Sequence, residues 1–485
     1  MPQATFPLVQ LDAYRWEIPV TAKPGMRVPG IIYADAGLVG QIQEDQAVEQ
    51  LANTATLPGI VRRAIAMPDI HWGYGFPIGG VVAMRLDDGI VSPGGVGYDI
   101  NCGVRLLSTG LADEEIRPHL GALADRLFRN VPSGVGARGR LRLNAAELPG
   151  VLQAGAGWAV RRGYGRAEDL RRIESAGAIP GARPEEVSRK ALTRGLDQLG
   201  TLGSGNHFLE IQRVEEIYDP ATAAAFGLRH PGQVTVLMHC GSRGLGHQVC
   251  DDYLEVAGRS LPRYGITLPD RQLACVPIAS PEGRAYLGAM AAAANFAFAN
   301  RQVITHWVRE SFEDVLRRSA ESIGLDLVYD VAHNMAKIEE HTVDGRSMQV
   351  CVHRKGATRG FPAGHPEVPE EYRDVGHPVL VPGDMGRYSY VLVGTAVALA
   401  ETFGSTPHGA GRMRSRSEAK RLLRGVDVAD ALARRGILVR AVSRDLLAEE
   451  ASEAYKDVAD VVRASDGAGL TRSIARLQPL AVVKG

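Results

Sequence analysis

The sequence predicts an α+β fold, one large unit of mixed β-sheets with inserted helices, on three observations. Its 485 residues are 45% hydrophobic, enough for a sizeable core. Short β-branched runs end repeatedly in Gly-rich turns, the pattern of strands and tight loops. No fixed-period repeat or low-complexity linker divides the chain.

Taken in order, the first hundred residues read as strands and turns, as in "FPIGGVVAMRL" and "GGVGYDINCGVRLL". Residues 111–130 and 183–199 space their apolar side chains as helices do. Between them "VPSGVGARGRLRL", with Arg138, Arg140 and Arg142, reads either as a mobile basic loop or as a solvated surface. The runs "QVTVLMHCGSRGLG" and "LDLVYDVAHNMAKIE" share a format: a strand, then His, then a change of direction. "MQVCVHRKGATRG" and "GHPVLVPGDMGRYSYVLVG" add strands that end in glycine loops. Residues 284–320 are expected to hold a mainly helical insertion, its alanine-rich part packed inside by small side chains. The last hundred residues are mixed, through the basic "RMRSRSEAKRLLR" to the closing "LQPLAVVKG".

Composition excludes some classes. The 55 basic and 55 acidic side chains cancel, so any nucleic-acid partner must be argued from a site. The opening "MPQATFPLVQLDAYRWEIPV" lacks the pattern of a signal peptide, and no apolar run is long enough to span a membrane. A cytoplasmic protein with no membrane partner is the expectation. The five cysteines (Cys102, Cys240, Cys250, Cys275 and Cys351) are odd in number and widely spread, which suits reduced thiols better than a disulfide framework.

Of thirteen histidines, five stand in Gly- or Asn-flanked contexts or at strand ends: His207, His239, His333, His353 and His408. Each alone is as readily structural as functional. Together they are candidates to converge on one site, because imidazole is the commonest metal ligand and titrates near neutrality. Asp99 and Cys102 in "GYDINCG" add a hard oxygen and a thiolate able to bridge two cations. Ligand softness by itself points to Zn, Co or Fe before Mn or Mg. "GSRGLG" at 241–246 departs from the dinucleotide spacing, and no GxxxxGK[ST] string is present, so a nucleotide would need another kind of pocket. Asp69 and His71 in "MPDIHWG" read as structural or supporting groups rather than direct ligands. His353, Arg354, Lys355 and Arg359 in "HRKGATRG", with Arg243, form a basic set suited to terminal phosphates, against the alternative of a solvated surface.

The strings "GGVGYDINCGVR", "LGSGNHFLE", "HCGSRGLGH", "DVAHNMAK", "VHRKGATR", "PGDMG" and "HGAGR" occur in that order. With "MPDIHWGYGFPIGG" and the terminal "VVKG", they resemble the RtcB family of GTP-dependent RNA ligases over nearly the whole chain, 1–485. The resemblance implies one catalytic unit with mixed sheets around a central dinuclear metal cleft. It implies two Mn2+ ions, overriding softness: Cys102 bridges, Asp99 and His207 complete one metal, and His239 and His333 the other. His408 is the implied nucleophile, forming a covalent histidine-GMP. The implied guanylate pocket draws on Asn206, His207, Phe208, Leu209, Glu210, His333, Asn334, Pro382, Gly383, Asp384, Met385, Ser389, Gly409, Ala410 and Gly411. Tyr455 would stack on the base and Lys484 would reach it. Arg387 and Tyr388 stand where smaller residues are familiar in the family.

The implied reaction joins RNA ends bearing a 3'-phosphate or 2',3'-cyclic phosphate to 5'-hydroxyl ends, in tRNA splicing or RNA repair. A monomer served by an archease-like activator is the expected state. A guanylyl-capping or end-healing enzyme of the same family, and a metal-dependent RNA-binding protein with structural histidines, are the alternatives.

Overall fold

Two large sheets carry the fold in the computed structural model, which describes residues 6–424 and 426–485. The first has seven strands in the order Val9–Gln10, Arg15–Ile18, Gly30–Tyr33, Ala64–His71, Ile78–Arg85, Arg346–Lys355 and Asn334–Val343. The second runs Asp326–Ala332, Gly103–Ala112, Gln233–Cys240, Phe208–Ile217, Thr471–Lys484, Ser389–Gly394 and Pro378–Val381, with Leu438–Ala441 added parallel to Thr471–Lys484. Gln233–Cys240 is buried along its whole length, its polar Gln233, Thr235 and His239 alternating with Val234, Val236, Met238 and Cys240. The chain passes from the second sheet to the first across one residue, His333, between Asp326–Ala332 and Asn334–Val343.

Pro118 splits the predicted helix at 111–130 into Asp113–Ile116 and Leu120–Asn130. In 183–199 only Arg189–Gly195 is α-helical, capped by Ser188, because Pro184 opens a separate short turn. The basic loop at 131–143 is anchored: Arg140 donates to both Glu310 oxygens at 2.8 and 3.0 Å and lies over Trp307.

Residues 284–316 of the stretch 284–320 fall on a single 36-residue helix, Pro281–Leu316, capped by Ser280 and started by Pro281. It packs against the helices Leu120–Asn130, Leu148–Arg161 and Arg243–Ser260. Its alanines let these neighbours approach, and its buried polar side chains hold loops. Asn300 Oδ1 accepts from Gly200 N and Thr201 N, while its Nδ2 donates to Gly241 O. Arg301 Nη1 donates to Asn101 O (2.7 Å) and Cys240 O (2.8 Å), and Nη2 to Asn101 Oδ1 (2.9 Å). Nη2 and Nε also grip Asp330, which takes a second guanidinium from Arg105.

Arg301→Met removes this set of bonds from a fully buried position. Breaking a buried pair costs about 3–5 kcal/mol, so its urea unfolding midpoint should fall clearly below wild type. Arg301→Lys should recover only part of the loss, since one ammonium cannot reach three loops as a planar fork does.

Candidate active site

Cys102, His207, His239 and His333 lie at one end of four adjacent strands of the second sheet. Cys102 precedes Gly103–Ala112, His207 precedes Phe208–Ile217, His239 is near the end of Gln233–Cys240, and His333 follows Asp326–Ala332. The register fixes their meeting: Gly103 pairs with both Cys240 and Ala332, and Phe208 pairs with His239. Cys102 Sγ stands 3.3 Å from His207 Nε2 and 3.1 Å from His239 Nε2, and His239 Nε2 stands 3.2 Å from His333 Nε2. Asp99 Oδ2 is 2.7 Å from His207 Nε2 but lacks a hydrogen bond's alignment. Two donor sets result, Asp99/Cys102/His207 and Cys102/His239/His333, sharing the thiol.

This set fits a metal pair. Two ligand atoms about 2.0–2.3 Å from one ion at near-tetrahedral angles stand roughly 3.3–3.7 Å apart, close to the spacing seen. Three protein ligands per ion leave open positions, as in catalytic sites. Burial pushes the Cys102 thiol up to about 12, and Asp99 adds to the rise. Burial also holds His239 and His333 well below the ordinary histidine value, helped by neighbouring cationic groups. Against burial, Cys102, Cys240 and Asp99 push His207 up. Burial likewise opposes the charge of Asp99, but His207 holds its carboxyl well below the usual range. Asp99 Oδ1 also accepts from Ser242 N (2.9 Å) just before the helix Arg243–Ser260, which is what the "GSRGLG" string builds. A side chain at Gly241 would collide with that carboxylate.

His408 follows Ser405–Pro407, and its ring lies 4.8 Å from that of His333. Asp69 Oδ2 accepts from His408 Nδ1 (2.6 Å), His408 N (2.9 Å) and Gly409 N (3.3 Å). Lys456 Nζ donates to Pro68 O and Ile70 O on either side of Asp69, holding that strand. The sequence reading treated Asp69 as a supporting group without naming its partner, because 339 positions separate it from His408. His71 Nδ1 bonds Asp69 O (2.9 Å), and burial pushes its ring down to about 3.

The donors open into a cavity of about 880 Å³, of the size that takes a small ligand. Asp99, Cys102, His239, His333, Asn206, Phe208, Asn334, Pro382, Gly383, Asp384 and Met385 line it with His408, Gly409, Ala410, Gly411, Tyr455 and Lys484. His207 touches the cluster from behind. Leu209 points into the hydrophobic core, while Glu210 and Ser389 meet one layer deeper through Gln212 Nε2, at 2.7 and 3.1 Å. Tyr455 donates to Glu450 Oε2 and carries Arg412 over its ring. Lys484 is buried on the strand that pairs with Phe208, its Nζ 3.9 Å from Glu450. Arg412, the last residue of "HGAGR", and Glu450, which belongs to no quoted string, also line the cavity.

The basic "HRKGATRG" set is a correction. Arg354 makes a two-pronged pair with buried Glu339 (2.7 and 2.8 Å), and buried Arg359 pairs with Glu174 inside the protein and with Glu367 at its surface. His353 Nε2 accepts from Ser92 N. Alternation along the strand Arg346–Lys355 does not expose them, because the strand is buried from Val350 onward. Only Lys355 reaches the cavity, and burial pushes it down to about 7. Arg387 and Tyr388 do not line the cavity: Arg387 donates to Lys456 O (3.0 Å), and Tyr388 packs under Arg476.

Burial pushes Glu210 up to about 8, against the hydrogen bond from Gln212 and the charge of Lys484. The folded chain therefore holds a proton on Glu210 that the unfolded chain releases near 4.5, so stability is lost as pH rises between these values. Glu210→Gln should raise the melting temperature more at pH 8 than at pH 5.

The RtcB family profile, described as tRNA-splicing ligase RtcB, matches residues 50–485. The tRNA-splicing ligase RtcB of Archaeoglobus fulgidus is 58% identical over 478 residues, 99% of each chain. That of Thermococcus kodakarensis is 56% identical over 479 residues, again 99% of each. The RNA-splicing ligase RtcB of Mycobacterium tuberculosis is 56% identical over 439 residues, 90% of this chain and 100% of its own. No helix among the described residues is long and apolar enough to cross a membrane. With the match spanning most of the chain and whole-length relatives above half identity, the chain belongs to the RtcB family.

Proposed function

We propose that the chain is a GTP-dependent RNA ligase that joins 3'-phosphate or 2',3'-cyclic phosphate ends to 5'-hydroxyl ends. The observation that carries the reading is His408, its Nδ1 fixed on Asp69, beside a donor set for two ions in one cavity. The names of the relatives support RNA as the substrate.

With Nδ1–H given to the Asp69 carboxylate, the lone pair of His408 sits on Nε2. Nε2 attacks the α-phosphorus of GTP; the N–P bond forms, the P–O bond to pyrophosphate breaks, and pyrophosphate leaves. A 3'-phosphate oxygen of RNA then takes the guanylyl group, freeing His408. A 5'-hydroxyl finally attacks the activated 3'-phosphorus, losing its proton, and GMP leaves. A cyclic phosphate end is first opened by water. Asp99, Cys102, His207, His239 and His333 would hold two Mn2+ ions, which neutralise phosphate charge and favour in-line geometry when bound. The turn Gly409–Gly411, which lines the cavity next to His408, would sit against the phosphates, and Asn206 and Asp384 on the same wall would offer polar groups to the base.

Incubation with Mn2+ and α-labelled GTP should label the protein, and RNA pieces with 3'-phosphate and 5'-hydroxyl ends should then be joined with that phosphate at the junction. An adduct without joined RNA would move the chain to the capping reading, and no adduct with any divalent metal would overturn both. His408→Ala should abolish labelling. Asp69→Asn should slow it by about 10²–10⁴, because an amide can stabilise the wrong tautomer.

Because one sulfur serves both donor sets, Cys102→Ala should lose both ions in calorimetric titration with Mn2+. Asp99→Ala and His333→Ala should each lose one.

A further inference from the structure

We propose that the indole of Trp72 is a stacking platform for an unpaired RNA base next to the reacting end. This rests on the ligase reading and adds a subsite to it. Trp72 is 57% exposed, whereas the other three tryptophans, Trp16, Trp158 and Trp307, are buried or half-buried. Its backbone is nonetheless fixed. Trp72 N donates to Asp45 Oδ2 (3.3 Å), while Gly73 N donates to Gln50 Oε1 (2.9 Å) and Gly73 O accepts from Gln50 Nε2 (2.6 Å). A bare aromatic face on a pinned strand end, three residues beyond Asp69, is a preorganised surface.

Its position says what it meets. A second cleft of about 600 Å³ adjoins the active-site cavity, and Trp72 and Met413 line both. A strand leaving the site by this cleft passes Trp72. The cleft offers little free positive charge for a phosphate track: Arg414 pairs with Glu418 (3.1 Å), Arg412 with Glu450 (3.1 Å), and Lys456 is spent on main-chain carbonyls. What remains for binding is the π-face, and base stacking on an aromatic tolerates any sequence. Met413, 46% exposed, supplies a second apolar surface in the same cleft.

The test uses the full chain and two labelled single-stranded RNAs, one ending in 5'-hydroxyl and one in 3'-phosphate, each also made with an abasic residue next to the end. Affinities are read by fluorescence anisotropy for wild type, Trp72→Ala and Trp72→Phe, with melting curves to confirm folding. The expected result is about tenfold weaker binding of at least one strand by Trp72→Ala, largely kept by Trp72→Phe and absent with the abasic strand. The strand affected identifies which end the platform holds. Unchanged affinity in Trp72→Ala, an equal loss in Trp72→Phe, or an equal loss with abasic RNA would each overturn the proposal; the first is the result expected if the indole meets a protein instead. Wild-type joining of RNA in the same preparation separates this failure from a failure of the ligase reading.

Discussion

Arg301 is the constraint on which the site depends. Its guanidinium ties Asn101, Cys240 and Asp330, each within three residues of Cys102, His239 or His333. A planar fork with five donors can serve several acceptors in fixed directions. Asn300, one residue earlier on the same helix, does the same for the turn at Gly200–Thr201 and for Gly241. Three donor side chains from distant parts of the sequence, Cys102, His239 and His333, are thus held from below by one buried helix. Asn101 adopts φ 52°, a left-handed conformation that Arg301 stabilises by bonding both its carbonyl and its side chain.

The same arrangement sets the charge beneath the metal donors. Arg105 and Arg301 share the single carboxylate of Asp330, so the buried cluster carries one surplus positive charge. Burial lowers Arg105, whereas Asp330 outweighs burial and raises Arg301. A surplus cation under Cys102 favours the thiolate, which is the form that binds metal. Burial and Asp99 both favour the protonated thiol, so on the ligase reading a bound divalent ion would add to the buried guanidinium what deprotonation needs.

The sequence made the donors legible because each lies where a β-branched run meets a glycine or a turn, a local signal. The long alanine-rich helix was legible for the same reason, as a buried element. Its polar residues Asn300 and Arg301 were not, since nothing local distinguishes a buried arginine from a solvated one. The error at "HRKGATRG" has this cause: charge in the sequence suggests a surface, but Glu339 and Glu174 stand inside to pair with Arg354 and Arg359. Asp69 was seen, yet its partner could not be, because only the pairing of Ala357–Arg359 with Ser405–Pro407 and the path of Ala64–His71 bring it to His408.

On the ligase reading, this geometry also says why a histidine carries the guanylyl group in a cavity that already contains Lys355 and Lys484. Both lysines are otherwise engaged: Lys355 on the carbonyls of Tyr74 and Phe76, Lys484 beside Glu450. An imidazole presents one lone pair once its other nitrogen is fixed as a donor. Asp69 fixes it with three hydrogen bonds from two consecutive residues, so the ring and the start of the "HGAG" turn are positioned by one carboxylate. A phosphorus–nitrogen bond to imidazole leaves easily when attacked. The group that must accept a nucleotide from GTP and then release it to an RNA phosphate is therefore the one whose attacking nitrogen is left free and whose position is set by the fold.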